Sequence, residues 1–201
     1  SWLIWNFTAD KKHLTDYTNA SRTLLFNIHS LNWDAELLNL FYIPSVMAPK
    51  VLSCDSVFGM TNMNGLLPLT PIAGVLGDSH GALAGQMCFS PGMGKATYGT
   101  GSSIMVNIGE KPLDPPAGLV TSVAYAAEGK VYYAYEGNIH CTGATIKWLQ
   151  DELQLIASPS ESEILASSVE STDGVYFVPA FTGLGAPWWD KNAKALICGM
   201  N

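Results

Sequence analysis

Gly77-Asp78-Ser79-His80-Gly81 sets an acid, a hydroxyl and an imidazole on consecutive positions. The stretch lies between apolar Ile72-Ala73-Gly74-Val75-Leu76 and small-residue Gly81-Ala82-Leu83-Ala84-Gly85. Two chemistries are open to it. With Ser79 as nucleophile, G-x-S-x-G between a strand and a helix is the setting of a nucleophile elbow, as in a serine hydrolase. That enzyme needs a carboxylate and then a histidine further along. The only histidine beyond Ser79-His80 is His140, preceded by Glu110, Asp114, Glu128 and Glu136. Periodicity puts His140 inside an amphipathic helix rather than on a loop, and no HGGG-type stretch offers an oxyanion hole. With Asp78 as the working group, a carboxylate at the end of a buried strand can take a proton from a hydroxyl. It can equally hold a cation beside phosphate.

A second stretch suits phosphate. Tyr98-Gly99-Thr100-Gly101-Ser102-Ser103 joins Ala96-Thr97-Tyr98 to Ile104-Met105-Val106-Asn107-Ile108 as a hairpin with a glycine-rich tip. Glycines admit close approach of backbone to oxygen atoms, exposed N–H groups can point at an anion, and the hydroxyls donate. No G-K-[ST] follows, so this is not a Walker loop, and an ordinary turn fits the same residues.

The elements around these stretches read as α/β. Trp2 to Asn6 form a short helix, and hydroxyl-rich Thr15 to Thr23 leads to Leu24-Leu25-Phe26. Asp34 starts a helix with Leu37, Leu38 and Phe41 on one stripe, ended by Pro44. Residues 44 to 71 read as irregular. Ile72 to Leu76 reads as a buried strand, and Leu119 to Ala126 and Val131 to Tyr135 as strands joined by Glu128-Gly129-Lys130. Ile139, Gly143, Ile146, Leu149 and Leu153 recur at steps of three and four, predicting a helix over them. Ser160 or Ser162 caps another helix, Val175 to Val178 is a buried strand, and Trp188-Trp189 is assigned to core.

Bulk composition excludes other classes. With 48% hydrophobic and 13% charged residues in 201, the chain is globular. A net charge of −7 is opposite in sign to the basic face that nucleic acid requires. No run of about 18 apolar residues occurs, and no basic region precedes Ser1-Trp2-Leu3-Ile4-Trp5, so neither a membrane span nor a signal peptide is expected. Cys54, Cys88, Cys141 and Cys198 are isolated, and His13, His29, His80 and His140 lack metal-site spacing. Four scattered thiols are expected in the core of a cytoplasmic protein. The start on an amphipathic WLIWNF without Met, and the end at Cys198-Gly199-Met200-Asn201, give the look of a piece of a longer chain.

Read in order, Thr15-Asp16-Tyr17-Thr18-Asn19-Ala20-Ser21-Arg22-Thr23, Gly77-Asp78, Thr97-Tyr98-Gly99-Thr100-Gly101 and Asn107-Ile108-Gly109-Glu110-Lys111 resemble the FGGY carbohydrate kinases. Tyr135-Glu136-Gly137, Ala144-Thr145-Ile146-Lys147-Trp148-Leu149 and Gly174 to Pro187 continue the likeness, which is strongest to the glycerol kinase subgroup. It implies a ribonuclease-H-like (actin-like) fold, with residues 1–82 ending a first, acceptor-binding domain and residues 83–201 beginning a second, nucleotide-binding one. It implies transfer of phosphate from ATP with Mg2+ to a hydroxyl of a small sugar or polyol. Asp78 would be the base and lie beside the metal. Thr100 and Gly101 would meet ATP phosphates, and Gly143 and Lys147 would lie at the nucleotide. For Gly143, close helix packing is the alternative role.

Departures from the glycerol kinase pattern bear on the acceptor. Ser79-His80 stands where that subgroup has Gln-Gln, Ser103 where it has an aromatic, and Lys147 where it has Gln. Ser79 and Ser103 would enlarge and wet the acceptor pocket, making a larger polyol or a ketose such as xylulose as acceptable as glycerol. His80 has either an acceptor-binding or a structural role. The family's amino-terminal Asp-x-Gly-Thr phosphate loop is absent from the 201 residues, so the chain alone is expected to turn over poorly. A sugar-sensing relative without catalysis and a homo-oligomeric state are both compatible with these residues.

Overall fold

The structure, a computed structural model, describes residues 1–62 and 69–200. Part of the stretch read as irregular, residues 63–68, lies outside the described residues. The chain forms two compact units. Unit 1 comprises Ser1–Lys95, Val106–Asp114 and Thr121–Tyr135, and unit 2 comprises Ala96–Met105, Pro115–Val120 and Glu136–Asn201. Among the described residues no helix is long and apolar enough to cross a membrane.

Unit 1 opens with α1 (Trp2–Phe7), β1 (Leu14–Asp16), α2 (Tyr17–Ser21), the short pair β2 (Phe26–Asn27) and β3 (Asn32–Trp33), and α3 (Ala35–Leu40). It continues with a 3-10 turn at Ser45–Met47 and β4 (Lys50–Leu52). Strands β1 and β4 pair in parallel, Leu14 opposite Lys50 and Asp16 opposite Leu52. Two aspartates start the helices that follow. Asp16 accepts from the Thr18 and Asn19 amides at the head of α2, and Asp34 from the Glu36 and Leu37 amides at the head of α3. Each meets N–H groups that a helix start leaves without intrahelical partners. Helix α4 (Asp78–Gly85) buries Leu83 and His80.

The strands β5 (Gly94–Tyr98), β6 (Ser102–Gly109), β7 (Val120–Ala127) and β8 (Lys130–Ile139) form one sheet in the order β5-β6-β8-β7. The expected glycine-tipped hairpin is β5-β6. In unit 1, Phe58, Leu83, Val123 and Ala124 are fully buried. Unit 2 carries α5 (Gly143–Asp151), α6 (Pro159–Ser167) and the antiparallel pair β9 (Tyr176–Val178) and β10 (Leu196–Cys198). Its buried apolar residues include Met105 and Ala180, and half-buried Trp148 lies 5.4 Å from Phe177 and 5.1 Å from the exposed Phe181, ring to ring.

Several expectations are corrected. Ile72 to Leu76 is half-exposed and, among the described residues, belongs to no strand, its head marked only by an isolated bridge between Pro71 and Met60. Pro71 has no N–H to give a ladder. The segment is tied singly, by Ile72 N–H to the Gly59 carbonyl, Phe58 N–H to the Ile72 carbonyl and Val75 N–H to the Cys54 carbonyl. Ile139 ends β8, and helix α5 begins only at Gly143, so His140 lies on the loop between them. Strand β9 is only half covered, with Tyr176 exposed. Trp188 and Trp189 are exposed rather than core, the indole N–H of Trp189 donating to the Gly118 carbonyl at 2.7 Å. Cys54, Cys88 and Cys141 are buried thiols, whereas Cys198 is exposed.

Burial separates two leucines of unit 1. Leu83→Ala is expected to lower the free energy of unfolding by about 2–5 kcal/mol through a cavity that packing cannot close. Leu24, 82% exposed, changes it by less than about 0.5 kcal/mol when cut to alanine. Urea titrations of the two variants check this, and equal losses would contradict the packing.

Candidate active site

Asp78 is the first residue of α4, with Gly77 as N-cap. Its carboxylate is exposed, and Oδ1 accepts the Ser79 N–H at 2.6 Å. A glycine offers no side chain to cap the helix, so the approach to Asp78 is fixed from elsewhere. The Gly77 N–H donates to the Thr18 hydroxyl at 2.8 Å. Beneath it His80 is buried, and a Cβ added at Gly77 would come within 2.9 Å of its Nδ1. Of the two roles open to His80, its burial is compatible with the structural one. Ser79 has ordinary helical backbone with negative φ, not the strained turn of a nucleophile elbow, and residues 72–77 directly ahead of α4 form no strand. The hydrolase reading therefore loses its local geometry.

Thr18 is held by Asp16, a fully buried carboxylate. Asp16 Oδ2 accepts from the Thr18 amide at 2.8 Å, from the Thr18 hydroxyl, and from the Cys54 thiol at 3.3 Å. Oδ1 accepts from the Asn19 side-chain amide at 2.6 Å and the Asn19 N–H at 3.3 Å. Burial first, with the Asp16 charge adding to it, pushes the Cys54 thiol up to about 12 from an ordinary 9.0. Neither Asp16 nor Thr18 was singled out from sequence as a site residue. The spacing of Asp16 to Thr18 and Asn19 is nevertheless a helix-cap signature.

In unit 2 the hairpin tip rests on the start of α5. The Gly99 carbonyl accepts the Gly143 N–H at 2.9 Å, and the Thr100 carbonyl accepts the Thr142 and Ala144 N–H groups at 3.0 Å each. These are the amides that a helix start cannot satisfy by itself. Thr142, unremarked in the sequence, adds its hydroxyl, which donates to the Gly99 carbonyl at 3.1 Å and pairs with the Ser102 hydroxyl at 2.8 Å. Two glycines make the approach possible. A Cβ at Gly143 would lie 2.5 Å from the Gly99 carbonyl oxygen, and one at Gly101 2.6 Å from that of Ile139. The packing role of Gly143 is thus real, whatever else it does.

Thr100, Gly101 and Gly143 are therefore gathered at one place, with Thr100 exposed. Lys147 follows Gly143 by one helical turn on the same face, its ammonium 3.9 Å from Asp151 and exposed. Ser103 lines an open depression of about 390 Å3 with Thr97, Gly101, Ser102, Asn138, Ile139, His140 and Trp189. No charged side chain is in that lining. Asp78 and Ser79 belong to unit 1.

The chain matches the FGGY family of carbohydrate kinases twice, the N-terminal domain over residues 1–85 and the C-terminal domain over residues 94–201. It belongs to that family and has its mixed α/β, ribonuclease-H-like (actin-like) fold. It is 51% identical over 200 residues to glycerol kinase 2 of Thermotoga maritima and 52% identical over 200 residues to the glycerol kinase of Shewanella sp. strain ANA-3. In both cases all of this chain aligns, and it spans 40% of the relative's length. The crystal structure of Plasmodium falciparum glycerol kinase with ADP superposes with a TM-score of 0.89 at 40% identity, over 100% of this chain and 40% of that one. A xylulose kinase from Lactobacillus acidophilus shares the fold at 24% identity and a TM-score of 0.82, over 100% of this chain and 41% of its own.

Two measurements test this geometry. Glycine to alanine inside a helix ordinarily stabilises by about 0.5–1 kcal/mol. Gly143→Ala is expected instead to destabilise unit 2 by about 1–3 kcal/mol, because the added methyl meets a backbone carbonyl; urea unfolding followed by tryptophan fluorescence gives the sign. For Cys54, the unfolded thiol ionises near 9.0 and the folded one near 12. Its contribution to stability is then complete below pH 9 and is lost as pH rises from 9 to 12. At pH 8 a disulfide reagent should titrate Cys198 in the folded chain and Cys54 only after unfolding.

Proposed function

We propose that the chain is the central part of an ATP-dependent kinase that phosphorylates a hydroxyl of a small polyol or sugar, glycerol being the first candidate. Identity of 51–52% to curated glycerol kinases along the whole of this chain carries the reading. In it, residues 1–82 end the acceptor-binding domain and residues from 83 onward begin the nucleotide-binding one, which the family matches over 1–85 and 94–201 support.

Asp78 takes the proton of the acceptor hydroxyl as that oxygen bonds to the γ-phosphorus of ATP. The bond from phosphorus to the bridging oxygen breaks, and ADP leaves with its electron pair. The exposed carboxylate of Asp78 suits this step, because an acceptor can reach it from solvent. The hairpin tip receives phosphate. Its Gly99 and Thr100 carbonyls are turned to the start of α5, the Gly101 carbonyl takes the Gly99 N–H, and among the described residues the Thr100 and Gly101 N–H groups have no backbone acceptor, which leaves them for anionic oxygens. Gly143 keeps the helix start close to the tip, and Lys147 supplies positive charge one turn away. Ser79 and Ser103 are the acceptor-facing hydroxyls.

Magnesium belongs to this reading. Among the described residues no group of three or more His, Cys, Asp or Glu could hold a metal ion alone. That fits an ion carried on nucleotide phosphates with one or two protein carboxylates, here Asp78. When bound it neutralises charge on the transferring phosphate.

A second reading widens the acceptor. The depression beside Ser103 is lined mostly by apolar surface and carries no charged side chain, with polar groups from Asn138 and His140 and an exposed Trp189. Such walls suit a longer neutral polyol or a ketose. The test is ADP release with Mg-ATP in the full-length enzyme across glycerol, erythritol, xylitol, xylulose, ribulose and gluconate, with Asp78→Asn in parallel. Turnover on one acceptor, reduced about 10²–10⁴-fold in the variant, is expected. Turnover indifferent to Asp78 would remove the base.

A further inference from the structure

We infer that Asp16 and Thr18 are positioning residues for phosphoryl transfer, fixing where Asp78 stands although neither touches a reacting atom. The inference rests on the proposed role of Asp78 as base.

The segment that delivers Asp78 has two ties close to it. One is the Val75 N–H on the Cys54 carbonyl at 3.0 Å, and the other is the Gly77 N–H on the Thr18 hydroxyl at 2.8 Å. Both tying residues also send a side-chain donor to the same atom, Asp16 Oδ2: the Cys54 thiol at 3.3 Å and the Thr18 hydroxyl. One buried carboxylate oxygen therefore sets the position of both holders.

The proton count gives the arrangement its direction. A threonine hydroxyl has one proton and two lone pairs. Asp16 takes the proton of Thr18, so the remaining lone pairs are the only thing Thr18 can present, and an N–H is what they meet at Gly77. Without the carboxylate the hydroxyl would be free to rotate and to offer its proton toward the Gly77 N–H, donor against donor. Thr18 is 0% exposed, so water is not at hand to replace either partner. The buried His80 ring closes the other side of Gly77, and a Cβ there would stand 2.9 Å from Nδ1.

This matters because Asp78 has little else to hold it. It begins α4, its N-cap makes no side-chain bond, and among the described residues its own carboxylate accepts only from the adjacent Ser79 amide. A misplacement of about 1 Å in a reacting group costs on the order of 10²-fold in rate. A purely structural Asp16, capping α2, would leave turnover of the folded enzyme unchanged when the Thr18 to Gly77 bond is removed.

The experiment uses the full-length enzyme with Thr18→Val, Thr18→Ser and Asp78→Asn, assayed with its best acceptor where circular dichroism shows each fully folded. Thr18→Val keeps the shape and removes the hydroxyl. It is expected to lower kcat by about 10–100-fold, with KM for ATP and for the acceptor held within about two-fold. Amide hydrogen exchange at Gly77 should lose its protection in the same variant. Thr18→Ser restores both. If Thr18→Val does not fold, Asp16→Asn reads the same step, since either orientation of its amide sets a donor against a donor, and the same kcat-selective loss is expected. Wild-type kcat in the folded valine or asparagine variant, or a serine variant as slow as valine, overturns the inference. Asp78→Asn separates the two levels. If it keeps full turnover, the base assignment has failed. If it collapses while Thr18→Val does not, only the positioning role has.

Discussion

The Asp16 carboxylate is out of contact with water, and a carboxylate so placed has to be met by donors or it unfolds what surrounds it. Five arrive: two amides at the head of α2, the Thr18 hydroxyl, the Asn19 side chain and the Cys54 thiol. The demand for donors is what gathers three remote pieces of unit 1. Strand β1 brings Asp16, the loop after β4 brings Cys54, and the hydroxyl of Thr18 reaches the segment ahead of α4. Cys54 in turn accepts the Ala126 N–H of β7 on its sulfur and donates its own N–H to the Ala126 carbonyl. Cap, strand and approach to Asp78 thus depend on one charge that no solvent relieves.

Unit 2 meets the same accounting problem with backbone alone. Helix α5 begins with no side-chain cap, and its first amides are satisfied by carbonyls of the hairpin tip. The arrangement needs no side chain between tip and helix, which is why glycine stands at 143, while Gly101 leaves room for the Ile139 and His140 carbonyls. It also divides the tip's polar groups. The Gly99 and Thr100 carbonyls are taken up by the helix amides and the Gly101 carbonyl by the Gly99 N–H, while among the described residues the Thr100 and Gly101 N–H groups have no backbone acceptor. For a reaction in which positioning and charge neutralisation supply most of the rate, such a division is most of what a protein can offer.

Much of this was legible in the sequence. The glycine-tipped hairpin, the β7-β8 pair and the Asp34-capped α3 follow from local rules of turn chemistry, alternation and capping, which act within a few residues. The ordered blocks from Thr15 to Pro187 carried the family, and the site stretches at 77–81 and 98–103 were visible because their residue types are unusual together. What was misread has a common cause. Ile72 to Leu76 looks like a buried strand by composition, yet among the described residues it joins no strand and stays half-exposed. Ile139 fits the helical period of α5, yet strand pairing claims it for β8 and leaves His140 on a loop. Trp188, Trp189 and Cys198 are apolar in type and exposed in place.

The sequence by itself determined which residues could do chemistry and which short elements would flank them, because those depend on side-chain type and on neighbours within one or two turns. Only the tertiary structure decided that Thr18 meets Gly77, 59 positions away, and that Gly143 exists to let a helix start touch the Gly99 carbonyl. Hydrogen bonds and steric approach act over about 3 Å whatever the separation along the chain. No local pattern encodes which distant amide a buried hydroxyl will find.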